Sequence, residues 1–255
     1  MSRSGRARWA LITGAAHRIG AHLARTLAAH GYGLHLHTRT RGLTPLAQTL
    51  HQQHATPVIT HRVDLSDRTA THHWARTLAT GPQPPDLIVN NASPFPAPHR
   101  IDDLAALDEG LAVHLIAPTQ LYAALPDHGG HVVHLLDARL PLLDSLRPGY
   151  ELSKHTLAAH TLLAARQLAP RIRVNALAPG LVLPPPGHDQ EHLEHLATTR
   201  APLQTPARLD DMGSALLFLD HVTSVTGQII HIDGGEHLGP PLEKPHLVAP
   251  DGVAD

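Results

Sequence analysis

Residues 8–30 read RWALITGAAHRIGAHLARTLAAH. The apolar run at 8–13, bounded by a glycine, is too short for a helix and predicts a buried strand. Gly14 to Gly20 reads as a turn, and beyond it alanine and leucine recur with helical period to about His30. Strand, glycine turn and helix in immediate succession is the setting a dinucleotide-binding turn requires. The backbone there approaches a pyrophosphate, and the helix N-terminus stabilises its charge. The spacing is Gly-x5-Gly, with Arg18 where a middle glycine is expected; an ordinary βα turn is the competing reading.

The same alternation continues outward. Strands are predicted at 33–37, 57–63, 86–89, 131–136, 172–175 and 228–232. Helices are predicted at 43–54, from Ser66 or Asp67 to Thr80, 101–125, from Gly149 to about Ala169, 188–198 and 208–219. Seven strands alternating with helices imply an α/β chain with a doubly wound (Rossmann) parallel sheet flanked by helices, and residues 1–255 read as one domain. Residues 1–7 and 239–255 read as tails. Residues 182–206, rich in Pro, His and Glu, read as a lid over a substrate.

Composition excludes several classes. The absence of Cys removes disulfides and thiolate metal sites. A formal charge of -2 gives no general affinity for nucleic acid or an anionic membrane. The basic opening MSRSGRAR precedes an apolar run, Trp9 to Ile12, too short for a signal peptide. No stretch approaches the roughly 18 apolar residues of a membrane span, so a soluble cytoplasmic protein is expected. The 24 His are scattered, with pairs such as His35/His37, His72/His73 and His192/His195 but no triad motif, so no metal site is expected. Their full protonation carries the formal charge from -2 to +22, which predicts a sharp change in solubility and stability below about pH 6.

Candidate site residues cluster at predicted strand ends. The stretch 137–154, DARLPLLDSLRPGYELSK, follows the strand at 131–136, so Asp137 sits at its C-terminal end, where open α/β sheets bind ligands. Tyr150 and Lys154 stand four apart and share a helix face. An ammonium beside a phenol is expected to lower its pKa from about 10, making Tyr150 a proton donor near neutral pH. Only two of the twenty basic residues are Lys, at 154 and 244, so an undemanding position would carry Arg; a solvated Lys after a packing Tyr is the alternative. The strand at 33–37 ends in Thr38-Arg39-Thr40-Arg41, without the acid that accepts a ribose 2′-hydroxyl. Guanidinium and hydroxyl donors there favour a 2′-phosphate, as in NADP, over a merely basic turn. Asp64 sits where an adenine ring would rest. Two of the three Asn lie at 90 and 91, and one of the two Phe, Phe95, follows in a Pro-rich loop. That suits stacking on a flat heterocycle; a hydrophobic plug under the loop is the alternative.

TGAAHRIG at 13–20, Asp64-Leu65, NNAS at 90–93, Tyr150-x3-Lys154, RVNALAPG at 173–180 and IDGG at 232–235 together resemble the short-chain dehydrogenase/reductase family over about residues 8–238. The family's usual Ser, thirteen residues before the Tyr, is here Asp137. That is similar to the pteridine reductases and dihydromonapterin reductases, which the chain also resembles in Arg18, in the turn His37-x-Arg39-Thr40 and in Phe95 soon after NNAS. His114 replaces the Asn that many members use in a water relay. The resemblance implies NADPH as cofactor. Thr13, Gly14, Arg18, Ile19 and Gly20 would surround its phosphates, and His37, Arg39 and Thr40 its 2′-phosphate. Asp64 and Leu65 would lie near adenine, Asn90 and Ala92 beside the adenosine, with Pro179 and Gly180 also in the cofactor set. Lys154 would hold the nicotinamide ribose. A pterin would stack against Phe95, in contact with Arg18, Ser93, Asp137 and Tyr150. Its C=N bond would take a hydride, and a proton from Tyr150 or from water polarised by Asp137. An imine nitrogen needs a proton more than an oxyanion hole, a reason for a carboxyl group to replace a hydroxyl. Rival readings are a carbonyl or alcohol oxidoreductase that tolerates Asp137 and a non-catalytic NADPH-binding regulator. The intact Tyr150/Lys154 pair argues against the latter. Family analogy also implies a homotetramer.

Overall fold

The apolar runs become the strands of one sheet. The structure, a computed structural model, describes residues 7–143, 146–185 and 187–242. Seven parallel strands, β1 (Trp9–Ile12), β2 (Gly33–Thr38), β3 (Val58–Arg62), β4 (Leu87–Asn90), β5 (Gly130–Leu135), β6 (Ile172–Pro179) and β7 (Ile229–Ile232), lie in the order β3-β2-β1-β4-β5-β6-β7. The chain reverses its direction of winding between β1 and β4, which opens a crevice at the C-terminal strand ends.

Both sheet faces are covered, which is why the central strands read as unbroken apolar runs. Ala10, Ile12, Val89 and Val133 pack on one side with Leu23 and Leu27 of α1 (Arg18–Ala29), with α2 (Thr44–His54) and with Leu216 of α8 (Leu209–His221). Leu11, Ile88 and Val132 face Trp74 of α3 (Arg68–Thr80) and Ala165 of α6 (Pro148–Gln167). Each fully buried leucine contributes about 1.5–3 kcal/mol. Asp67 caps α3, its carboxylate accepting from Thr69 and Ala70 N–H at 2.9 Å.

Two elements differ from the sequence reading. β6 extends to Pro179 rather than stopping at Asn175, because its small residues pair with both β5 and β7. The helix expected at 101–125 is split into α4 (Leu104–Leu111), a π segment (Ala112–Ile116), α5 (Ala117–Leu121) and one 3-10 turn (Tyr122–Ala124). Pro118 explains the split. It has no N–H for the carbonyl of His114 four residues earlier, and its ring crowds that carbonyl, so the turn widens. Within the segment 182–206, α7 (Gln190–Arg200) buries Leu193 and Ala197, and the Arg200 guanidinium bonds the Glu236 carboxylate.

Buried polar groups tie the sheet together at its opposite edge. Asp220 of α8 accepts from Arg8 (3.0 Å), from the Tyr32 hydroxyl and from His131 Nδ1 (3.1 Å). On the α3 side His35, His37, His61 and Trp74 form a ring cluster with centroids 5.0–5.3 Å apart. His134 is fully buried between the Asn90 amide (3.1 Å) and the Tyr122 hydroxyl (3.2 Å). Among the described residues no helix is long and apolar enough to cross a membrane, and no three His, Asp or Glu are grouped as metal ligands. Residues 1–6 and 243–255 lie outside the described residues, so the expectations for the two tails fall largely there.

Candidate active site

The glycine turn is built by side chains from the neighbouring strand. Thr13 Oγ1 accepts from the N–H groups of Asn91 and Ala92, both at 3.0 Å. The Asn91 amide donates back to the carbonyls of Thr13 (2.9 Å) and Gly14 (3.1 Å). This approach leaves no room for a side chain. A Cβ on Gly14, whose φ is +64°, would fall 2.8 Å from Ala92 Cα, and one on Gly20 would fall 2.4 Å from the Gly14 carbonyl. Arg18 adopts φ +53°, a region costly for a non-glycine residue, and its guanidinium reaches the Pro184 carbonyl at 3.1 Å. Ile19 follows in the first turn of α1, half-buried. The Gly14 N–H donates to His37 Nδ1 (3.3 Å), while His37 Nε2 bonds the Val63 carbonyl (3.0 Å). His37 therefore braces the turn from beneath.

At the end of β2, Arg39 and Thr40 are exposed, and Arg39 pairs with Glu109 at 3.0 Å. So open a pair is held weakly, and an anion can displace it. The Arg62 guanidinium bonds the Arg39 carbonyl (3.3 Å), adding a second cation at this edge. Asp64 is exposed, and its carboxylate accepts the Ser66 hydroxyl (2.7 Å), which holds its pKa below the usual value. Leu65 is buried beneath. Asn90 is turned inward to His134 rather than toward the crevice, whereas Ala92 lies against the glycine turn. Pro179 and Gly180 close the far side: the Pro179 carbonyl accepts from Ala138 N–H (3.0 Å), and Gly180 N–H donates to Ile232 (3.1 Å).

Across the crevice the first turns of α6 bring Tyr150 and Lys154 beneath the end of β5. The Tyr150 hydroxyl donates to Asp137 Oδ2 at 2.9 Å, and Asp137 Oδ1 accepts from Arg139 N–H at 2.8 Å. Asp137 therefore faces the same crevice as Tyr150. Lys154 is 2% exposed, which removes the solvated-lysine alternative. Its ammonium donates to the Leu135 carbonyl at 2.6 Å, and burial lowers its pKa to about 8.

Tyr150 overturns an expectation. Its pKa is raised well above 10, not lowered. Burial dominates and the Asp137 carboxylate adds to it, while the Lys154 nitrogen lies 5.8 Å from the ring centroid with its charge directed at Leu135. A desolvated phenol bonded to a carboxylate resists ionisation more than a distant ammonium promotes it.

Phe95 is 61% exposed, so it is not a plug under its loop. Its ring meets Tyr150 edge-on at 5.2 Å, with the Arg147 guanidinium 4.3 Å over it and anchored to the Pro96 carbonyl (2.8 Å). The Ser93 hydroxyl bonds His114 Nε2 at 2.8 Å, with the Pro94 carbonyl at 3.5 Å. Arg147 and Asn91 were given no role by the sequence. Asn91 stood inside a quoted motif, but Arg147 meets Phe95 across fifty-one intervening positions that no local spacing reveals.

The chain is similar to known proteins over most of its length. Residues 14–237 match the family model described as enoyl-(acyl carrier protein) reductase. A putative ketoacyl reductase of granaticin polyketide synthesis from Streptomyces violaceoruber is 32% identical, over 90% of this chain and 96% of that protein. Pteridine reductase 1 of Leishmania tarentolae is 30% identical, over 93% and 99%. The crystal structure of FolM alternative dihydrofolate reductase 1 from Brucella canis, complexed with NADP, superposes with a TM-score of 0.83 at 33% identity, covering 94% of this chain and 97% of that one.

Proposed function

The chain belongs to the short-chain dehydrogenase/reductase family of oxidoreductases, and from that premise we propose that it is an NADPH-dependent reductase of a pterin C=N bond, taking a dihydropterin or dihydrofolate to the tetrahydro form. The observation that carries this reading is the Tyr150–Asp137 hydrogen bond of 2.9 Å, with the exposed Phe95 ring edge-on to the same phenol.

The residues fit NADPH. The turn from Gly14 to Gly20 has no space for a Cβ and exposes backbone at a helix N-terminus, as a pyrophosphate needs. Arg39 and Thr40, with Arg62 alongside and no acid at the end of β2, suit a 2′-phosphate. When bound, the cofactor supplies the hydride. Tyr150 Oη holds the proton destined for the ring nitrogen, and Asp137 orients that hydroxyl. Lys154 keeps a positive charge beneath the nicotinamide side, and Phe95 offers a flat face to the heterocycle, with Ser93 and Arg18 at its edges. The Brucella structure's bound NADP and the pteridine reductase relative support the same assignment.

A second reading, reduction of a carbonyl, is favoured by the ketoacyl reductase relative, since the Tyr150/Lys154 pair serves either bond. Following NADPH oxidation with dihydropterins, dihydrofolate and a panel of ketones separates the two. The expected result is turnover of pterins only, reduced at least tenfold in Asp137→Ser, as removal of a group active in proton transfer requires. Ketone turnover undiminished by that substitution transfers the assignment to the second reading.

We also propose a homotetramer. Leu104 on α4 and Leu152, Leu162 and Leu163 on α6 are exposed large apolar residues on adjacent helices, so α6 carries leucines on its outer side as well as Leu157 on its buried side, as a helix covered on both sides would. Light scattering is expected to return about four times the 27.4 kDa chain mass; a monomer mass rejects the assembly.

A further inference from the structure

His114 is held by two serines. Its Nδ1 lies 2.8 Å from Ser153 Oγ and its Nε2 lies 2.8 Å from Ser93 Oγ. The ring is 1% exposed, in the π segment imposed by Pro118. Counting hydrogens fixes its tautomer. The Ser153 hydroxyl is 2.6 Å from the Tyr150 backbone carbonyl, which only accepts, so its one hydrogen is committed there. Nδ1 must then carry the hydrogen of the bond to Ser153. Burial, with the Lys154 charge close by, keeps the ring neutral, so Nε2 is bare and receives the Ser93 hydrogen. The reverse tautomer would face Nδ1 with the lone pairs of Ser153 at 2.8 Å, a buried contact without a hydrogen.

Ser93 therefore has lone pairs, and no hydrogen, to offer the crevice. The Tyr150 hydrogen is directed to Asp137, so it does not occupy them. Building on the pterin reading, we propose that His114 is a positioning residue that locks the Ser93 hydroxyl as an acceptor, so that the substrate edge lying against Ser93 must carry an N–H donor. An exocyclic amine meets that requirement and a carbonyl oxygen opposes it. An Asn or Gln at 114 imposes no such lock, since its amide presents either a donor or an acceptor to Ser93 by rotation.

Two measurements decide it. Long-range 1H–15N correlation spectra of the whole protein, without substrate, report the tautomer of neutral histidines, and the signal of residue 114 is the one lost in His114→Gln. The expected signature is hydrogen on Nδ1; hydrogen on Nε2 overturns the proposal. Kinetics then compare a dihydropterin with the dihydrolumazine that bears an oxo group in place of the exocyclic amine. The wild type is expected to prefer the amine by about 10- to 100-fold in kcat/KM, the effect of facing a buried acceptor with another acceptor. Both His114→Gln and Ser153→Ala, which frees Nδ1 while keeping the ring, should shrink that preference to a few-fold, chiefly through KM. An unchanged preference in both variants overturns the proposal. If neither heterocycle turns over, the pterin reading falls and the specificity claim with it, and the spectrum still decides whether His114 sets the direction of the Ser93 hydrogen.

Discussion

Tyr150→Phe is expected to lower kcat by about 10²- to 10⁴-fold, the range for losing a positioned proton donor, while leaving NADPH affinity within a few-fold. The reasoning rests on what the hydroxyl touches. It donates to Asp137 at 2.9 Å, and the ring packs between Phe95 (5.2 Å) and His114 (5.6 Å), contacts that phenylalanine retains. The substitution thus removes the proton and little else. Because the phenol's pKa is raised, ionisation of Tyr150 does not shape the pH profile in the working range. The nearby group that titrates is Lys154, held at about 8, so kcat/KM should fall as pH rises through that value and the ammonium beneath the site is lost. Steady-state assays across pH 6–10, with cofactor affinity from fluorescence titration, check both statements. A Phe variant retaining more than about a tenth of wild-type kcat would reassign proton delivery to water ordered by Asp137.

What the sequence revealed and what it hid divide along a physical line. Strand, turn and helix at 8–30 are encoded by neighbours, so periodicity and two glycines sufficed to locate the crevice. Asp137 and Tyr150, thirteen apart, were legible as a pair because one follows the end of β5 and the other opens α6, at the same edge of the sheet. The sign of the Tyr150 shift was not legible, because desolvation depends on what covers a residue, and Lys154 turns away to Leu135 only once β5 is in place. The His114–Ser153 bond spans thirty-nine positions and exists because Pro118 widens one helical turn. The proline was visible beforehand; the direction in which the widened turn would aim His114 was not.

Stability is expected to fall steeply between pH 6.5 and 5, by about 4 kcal/mol from His37 and His134 alone. The ordinary value of 6.5 applies in the unfolded chain, whereas burial holds His37 at about 4 and His134 at about 3 in the folded protein. Between those limits the unfolded state binds protons that the folded state refuses, so unfolding becomes easier as pH drops. At about 1.36 kcal/mol per pH unit, each of the two has cost about 2 kcal/mol by pH 5, a large part of the roughly 5–15 kcal/mol typical of a domain. His61, also lowered to about 4, is only partly buried and adds less. His35, His131 and His160 shift in the same direction. Asp220 does not enter this window, because a carboxylate depressed below 3.8 keeps its contribution until the pH falls beneath that value. The charge of +22 reached by protonating all 24 His is therefore not accessible to the folded protein near pH 6; it arrives as the buried rings are exposed by unfolding. Urea denaturation at pH 7.5, 6.5, 5.5 and 5.0 should show the midpoint falling throughout the series, with a shallower slope in His134→Gln. A midpoint constant from pH 7.5 to 5.0 would mean that these rings are solvated in the folded state rather than buried.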